Sequence, residues 1–364
     1  MTAWHPCPVS NPVTNPDAQR PSIVVLAGGI GGARFLRGLR HLVRDRAQIT
    51  VIGNTGDDIW LHGLRVCPDL DTVMYTLGGG ISEERGWGRE DETFAVKDEL
   101  TAYGVEPTWF GLGDRDIATH LIRTQLLGAG YALSDVTAAL CDRWQPGVRL
   151  IPMSDDRVET HVVVDDPDGA VDAHGAPQRR AIHFQEWWVR YRAQLPAHSF
   201  VQIGLDDAKP APGVLEAIDE ADVIVLPPSN PVVSIGTILA IPRIRDAIVD
   251  APAPVVGISP IIGGAPVRGM ADACLSAIGV PTTAAAVAEH YGPRRARIPA
   301  GAPGGGILDA WLVAETDADS VAEVTARGIT CAAAPLLMTD DDATATIALA
   351  ALGLVDFDIA GIAP

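Results

Sequence analysis

The stretch SIVVLAGGIGGARFLRGL, residues 22–39, constrains the fold more than any other: a short β-branched apolar run meets four glycines within five positions and then a helical pattern. A strand that passes through a glycine loop into a helix N-terminus leaves main-chain N–H groups free for a phosphate or pyrophosphate. The two best-known versions of this loop do not fit. A GxGxxG count from Gly29 reaches Gly31 and then Arg34, where the third glycine and the close helix packing it permits are missing. A Walker A loop needs Lys and then Ser or Thr after its last glycine, and this chain has Ala33 and Arg34. The functional reading is a phosphate cradle of Gly28, Gly29, Gly31 and Gly32, with charge added by Arg34. A tight strand-to-helix turn without a ligand is the competing one.

Apolar segments recur at SIVVLA (22–27), QITVIG (48–53), DVIVLP (222–227), APVVGIS (253–259) and ILDAWLV (307–313), with amphipathic helical patterns between them. Runs this rich in Val, Ile and Leu suit parallel strands covered on both faces. The expected fold is α/β, a doubly wound Rossmann-like parallel sheet that binds ligands outside the carboxyl ends of its strands. In this reading residues 22–80 and 196–364 form the nucleotide-binding core. Residues 81–195 form a mainly helical insert over the ligand edge, running from DETFAVKDELTAYG to the aromatic HFQEWWVRYR. Residues 1–21, with five prolines, read as a disordered tail, and RIPAGAPGGG (297–306) as a surface loop.

Composition narrows the partners. With 46 acidic against 27 basic residues and a net charge of −19, the chain lacks the basic footprint of a nucleic-acid binder. Cys7, Cys67, Cys141, Cys274 and Cys331 are scattered without a CxxC pair, so neither a zinc site nor a disulfide framework is indicated and a reducing cytoplasm is expected. No apolar run approaches the roughly 18 residues a membrane span needs. The N-terminus also lacks the basic and apolar regions of a secretory signal.

Polar clusters follow the strands. Asn54 and then Asp57, Asp58, Asp69 and Asp71 fall on the expected ligand edge within GNTGDDIWLHGLRVCPDLDTVMYTLGGG (53–80). Carboxylates beside a phosphate loop suit a magnesium ion that keeps substrate phosphates among its ligands, and so a phosphoryl-type transfer. Turn and cap roles for Asp57 and Asp69 compete with that reading. Trp60 and His62 are either core residues or a platform for a planar ring. In GLGDRDIATHLIRTQ (111–125), Asp116, His120 and Arg123 share one helix face, a solvated ion-pair face unless the helix borders the site. Ser229 and Asn230 in LPPSNPVVSIG, and Arg268 in SPIIGGAPVRGM, complete the strand-end loops.

LAGGIGGARFL, GDDIWLHGLRVCPDLDTVMYTLGGG, RGWGREDETF, GLGDRDIATHLIR, HFQEWWVRYRAQ, PSNPVVSIG, SPIIGG and RGMADACLSAIGV together resemble the 2-phospho-L-lactate transferase family of coenzyme F420 biosynthesis, above all its actinobacterial phosphoenolpyruvate transferases. The likeness runs from about residue 22 to PLLMTD at 335–340. It implies transfer of a phosphoenolpyruvyl or 2-phospholactyl group from a guanosine diphosphate adduct to the ribityl hydroxyl of 7,8-didemethyl-8-hydroxy-5-deazariboflavin (Fo). GMP leaves and (dehydro) coenzyme F420-0 forms. The resemblance also implies Mg²⁺ dependence, a homodimer, and contact between Asp71 and the deazaflavin. Gly111 stands where some archaeal relatives carry a lysine.

The combined expectation has Asp71 orienting or deprotonating the hydroxyl, with Asp58 as the second catalytic carboxylate and Asp57 or Asp58 holding the metal. Trp60, His120 and Arg123 join Asp71 toward the deazaflavin. The four glycines, Arg34, Asn54, Ser229, Asn230 and Arg268 serve the nucleotide diphosphate. Two rivals are a nonenzymatic, nucleotide-sugar-binding regulator of the gluconeogenesis-factor type and a nicotinamide dehydrogenase. The first would share the glycine loop without the complete motif set, and the second is disfavoured by the broken fingerprint.

Overall fold

The computed structural model describes residues 20–294 and 305–359, so the tail expected over 1–21 and the loop expected over 297–306 lie almost wholly outside the described residues. Seven strands form one sheet: β1 (Ser22–Ala27), β2 (Gln48–Gly53), β3 (Arg149–Pro152), β4 (Val223–Leu226), β5 (Val255–Ile258), β6 (Ala310–Ala314) and β7 (Thr330–Ala334). In space they run β3, β2, β1, β4, β5, β6, β7, and every neighbouring pair is parallel. The chain winds outward from β1 to β3, returns to place β4 beside β1, and winds outward the other way. That reversal opens a crevice at the strand C-termini between β1 and β4, the usual ligand position in doubly wound sheets.

Both faces of the sheet are covered. Val24, Leu26, Ile224, Leu226 and Val255 pack into one helical layer, and Ile23, Val25, Val223, Val225 and Ile258 into the other. Alternate residues are therefore apolar for different reasons, which is why these strands read as unbroken hydrophobic runs. Helix α1 (Gly29–Val43) follows β1 after the single residue Gly28, and α2 (Pro68–Leu77) follows β2 after the hairpin of Ile59–Leu61 with Leu64–Val66.

The segment expected as a helical insert is mixed. It carries Ala95–Ala102, α3 (Asp114–Gly128) and α4 (Leu133–Trp144), after which β3 joins the central sheet beside β2. A separate antiparallel sheet of Glu159–Asp165, Arg179–His183 and Ser199–Ile203 follows. The helical part therefore ends at Trp144. Among the described residues no helix is long and apolar enough to cross a membrane.

Candidate active site

The glycine loop is held by close approaches. A Cβ on Gly31 would overlap the carbonyl oxygen of Pro228, so only glycine lets α1 sit this near the loop after β4. Ser229 Oγ accepts from the Gly28 N–H at 3.3 Å and donates to the Gly28 carbonyl at 2.8 Å, clasping the crevice from the β4 side. Asn230 caps its own turn, its Oδ1 accepting from the Val232 and Val233 N–H groups at 2.9 and 3.2 Å. The first N–H groups of any α-helix lack helical partners. Here the Gly28 N–H is taken by Ser229 and the Gly29 N–H by Asp69, which leaves those of Ile30 and Gly31 to a ligand.

The aspartates separate into distinct roles. Asp57, Asp69 and Asp71 are buried and line a cavity of about 630 Å³ together with Gly28, Gly29 and Gly31. Asp69 lies inside the first turn of α2 rather than at its cap, and accepts from Asn54 Nδ2 at 2.9 Å. Burial pushes its carboxyl up to about 6, against the hydrogen bonds from Asn54 and the Gly29 N–H. Burial, and then the neighbouring Asp69, raises Asp57 well above the ordinary carboxylate range. The Oδ1 atom of Asp57 has no hydrogen-bond partner among the described residues.

Asp58 lies outside this wall. It follows Asp57 in a turn that bonds its N–H to the Thr55 carbonyl, is absent from the cavity lining, and pairs through Oδ2 with Arg65 Nη2 at 3.0 Å. Asn54 is also placed behind the cavity: its amide donates to Asp69 and to the Val233 carbonyl, and its oxygen accepts from the Gly56 N–H at 3.0 Å.

A second buried network lies against Asp71. Arg123 Nη2 donates to Asp71 Oδ1, and Arg123 Nη1 donates to His120 Nδ1 at 3.1 Å. Because guanidinium only donates, His120 Nδ1 is an acceptor and its proton sits on Nε2, 3.3 Å from Asp116 Oδ2. Tyr75 Oη donates to Asp116 Oδ1 at 2.6 Å. The helix face for which a solvated ion-pair role competed with a place in the site is buried, with His120 and Arg123 each 1% exposed. Asp116 belongs to the helix's first turn, behind an N-cap at Gly113. Burial raises Asp71 while Arg123 opposes the shift, and its Oδ2 is left buried without a hydrogen-bond partner. Asp71, Asp116, His120 and Tyr75 line the cavity; Arg123 stands behind them.

Aromatic rings close the cavity. Tyr75, Trp87, Phe110, Phe184 and Trp188 line it, whereas Trp60 lies elsewhere. In the short hairpin strand Ile59 and Leu61 point inward, so Trp60 alternates outward. Trp187 and Trp188 share one π-helical turn, Glu186–Arg190. The first is fully buried, its Nε1 donating to the Leu195 carbonyl at 2.8 Å; the second remains 37% exposed at the cavity. The missed signal was the doubled tryptophan itself, one ring anchoring and one presented. Of the expected diphosphate residues, Gly28, Gly29, Gly31, Arg34, Ser229, Asn230 and Arg268 line the cavity, and Gly32 packs behind it against Ser229 Oγ.

The family described as 2-phospho-L-lactate transferase CofD matches residues 23–337. The chain belongs to that family. Among curated members, a phosphoenolpyruvate transferase from Streptomyces coelicolor is 67% identical over 92% of this chain and 98% of its own. One from Thermobifida fusca is 66% identical over 91% and 97%, and one from Mycobacterium avium 56% identical over 94% and 99%. A solved UPF0052-family protein from Bacillus halodurans shares the fold at 19% identity, with a TM-score of 0.56 over 92% of this chain and all of that one. This CofD-family chain is a transferase of F420 biosynthesis.

Proposed function

We propose that the protein transfers a phosphoenolpyruvyl or 2-phospholactyl group from a guanosine diphosphate adduct to the ribityl hydroxyl of the deazaflavin Fo, releasing GMP. The observation that carries the reading is the buried Oδ2 of Asp71, which accepts no hydrogen bond among the described residues, in the same cavity lining as the glycine loop. In the proposed reaction the hydroxyl oxygen bonds to the distal phosphorus, the bond from that phosphorus to the GMP oxygen breaks, and the hydroxyl proton passes to Asp71 Oδ2. Arg123 holds the other carboxylate oxygen, so Asp71 is fixed in orientation before the acceptor arrives. The Ile30 and Gly31 N–H groups and the α1 dipole bind the phosphates.

The residues also fit a magnesium ion. Asp57 has an unpartnered carboxylate oxygen beside buried Asp69, and two carboxylates plus substrate phosphates are the ligand set Mg²⁺ favours. Among the described residues no group of three or more His, Cys, Asp or Glu is arranged to hold a metal, which leaves further positions to phosphate and water. When bound, the ion would neutralise charge on the diphosphate. Asp57 and Asp69, rather than Asp58, are the proposed ligands.

Trp188, Phe184 and Phe110 supply apolar surface for the deazaflavin ring. Cys67, Cys141, Cys274 and Cys331 are free thiols, in keeping with the proposed cytoplasmic setting. The proposed homodimer is tested by sedimentation. The function is tested by incubating purified protein with the adduct, Fo and MgCl₂ and measuring GMP and the mass of the deazaflavin product. Ligand binding without turnover would favour the regulator reading instead.

A further inference from the structure

Helix α1 carries arginines at 34, 37 and 40, and their partners differ. Arg37 pairs with Asp341 at 2.6 Å and with Glu83, and Arg40 Nη1 donates to the carbonyls of Leu77 and Pro146 at 2.7 and 2.6 Å. Arg34, one turn nearer the glycine loop, has no hydrogen-bond or ion-pair partner among the described residues and faces the cavity. Arg268, in the loop after the Ile261–Pro266 hairpin, is likewise unpartnered and lines the same cavity. Gly86, at φ +76°, allows the close seat of that arginine: a Cβ there would overlap Arg268 Nη1 and lie 3.5 Å from Ile30 Cδ1. Burial, and after it the positive charge of Arg268, lowers Arg34 from the ordinary arginine range. Glu83, which is paired with Arg37, offsets that repulsion only in part, so two guanidinium groups are held near one another in a configuration that an anion between them stabilises.

The cavity is bipolar. Asp57, Asp69, Asp71 and Asp116 form one wall, with Asp69 Oδ1 3.8 Å from the Cβ position of Gly29. Arg34 follows Ile30 by one turn of α1, and Arg268 Nη1 and Ile30 Cδ1 both lie against Gly86. In the transferase reading the loop N–H groups, and a magnesium ion if held by Asp57 and Asp69, would receive the diphosphate, which leaves the adduct's carboxylate to other cationic groups. We infer that Arg34 and Arg268 form a subsite for the carboxylate of the donor's three-carbon acid, separate from the diphosphate cradle. The inference rests on the transferase reading above. A planar two-oxygen carboxylate matches the guanidinium forks.

GDP, which has the diphosphate and lacks the acid, separates the two subsites. The experiment measures the GDP dissociation constant with Mg²⁺ by calorimetry and the donor KM from GMP release, in wild type, Arg34→Gln, Arg268→Gln and Arg268→Lys. The expected result is a donor KM raised about tenfold or more in both glutamine variants, a smaller rise in Arg268→Lys, and GDP affinity within about twofold of wild type. A parallel loss of GDP affinity would assign the pair to the diphosphate, and an unchanged KM would remove it from ligand binding; either overturns the inference. Arg268 lies on an exposed loop, so its variants keep the test open if Arg34→Gln disturbs α1. Absence of GMP release by wild type would instead count against the transferase reading.

Discussion

The side-chain amide of Asn54 donates to Asp69 Oδ2 at 2.9 Å and to the Val233 carbonyl at 3.3 Å, tying the end of β2 to α2 and to the loop after β4. Asn54→Ala removes that tie and leaves buried acceptors unsatisfied, so the fold loses about 1–3 kcal/mol. Asn54→Asp adds a further carboxylate beside Asp57 and Asp69 and costs more. Urea unfolding midpoints of the two variants check both magnitude and order.

Asp71 and Arg123 are expected to separate chemistry from stability. Asp71→Asn retains a similar shape and keeps the fold, while GMP release falls by about 10²–10⁴-fold. Arg123→Met leaves Asp71 as a buried, unpaired charge and destabilises by about 3–5 kcal/mol. Turnover and thermal unfolding are measured on both proteins. An active Asp71→Asn enzyme would remove Asp71 from the mechanism.

Chelation with EDTA is expected to abolish GMP release, and MgCl₂ to restore it. Asp57→Asn and Asp69→Asn shift the magnesium activation curve to higher concentration, whereas Asp58→Asn lowers stability through its Arg65 pair without moving that curve. Activation curves against MgCl₂ for the three variants decide among the aspartates.

Trp188→Ala is expected to raise the acceptor KM by about tenfold, the scale of one aromatic contact. Trp60→Ala leaves it unchanged, because Trp60 is outside the cavity lining. Steady-state kinetics with varied deazaflavin tests the pair.

His183 and Glu159 are expected to lose their contributions to stability on acidification, against an opposing gain from the buried carboxyls of Asp58 and Asp69, whose folded-state values burial pushes up to about 6. His183 Nε2 donates to the Asp58 carbonyl at 3.2 Å and Nδ1 accepts from the Gln185 N–H at 3.1 Å, so both nitrogens are committed to the neutral ring. Burial leads the lowering of its pKa from 6.5 to about 4. Glu159 is pushed up by burial, but hydrogen bonds from His161 and Arg157 bring it down to about 2 from 4.5. Both folded-state values lie below the unfolded ones, so the unfolded chain takes up protons first as pH falls. The His183 contribution is present above about 6.5 and lost toward 4; that of Glu159 is lost between 4.5 and 2. The change in urea midpoint between pH 7.5 and 4.5 should be less favourable in wild type than in His183→Gln, since only wild type loses the neutral-imidazole contribution over that range.

The crevice was legible because chain order alone places loops at strand ends. The glycines after β1, the aspartates after β2 and Ser229 after β4 meet as that rule requires. The choice between Asp57 and Asp58 was not legible, since it depends on Asp58 finding buried Arg65 on the following hairpin, a tertiary pairing that the adjacent positions do not encode. Trp188 depends on the packing of Trp187 against Phe184 and Phe200, contacts that no local spacing encodes. Strands β3 and β7 escaped because RLIP is four residues long and TCAAA is small rather than strongly apolar.

The Gly28–Ser229 clasp spans 201 positions of sequence. The glycines and every cavity-facing aspartate except Asp116 are encoded before residue 72, yet the crevice they line has no second wall until β4 and its loop have been synthesised and docked. A nascent or truncated N-terminal half would therefore display the whole acidic motif and grip no nucleotide. Ligand affinity becomes a reporter of completed folding, and a bound nucleotide bridging the crevice would resist the separation of the two halves of the sheet.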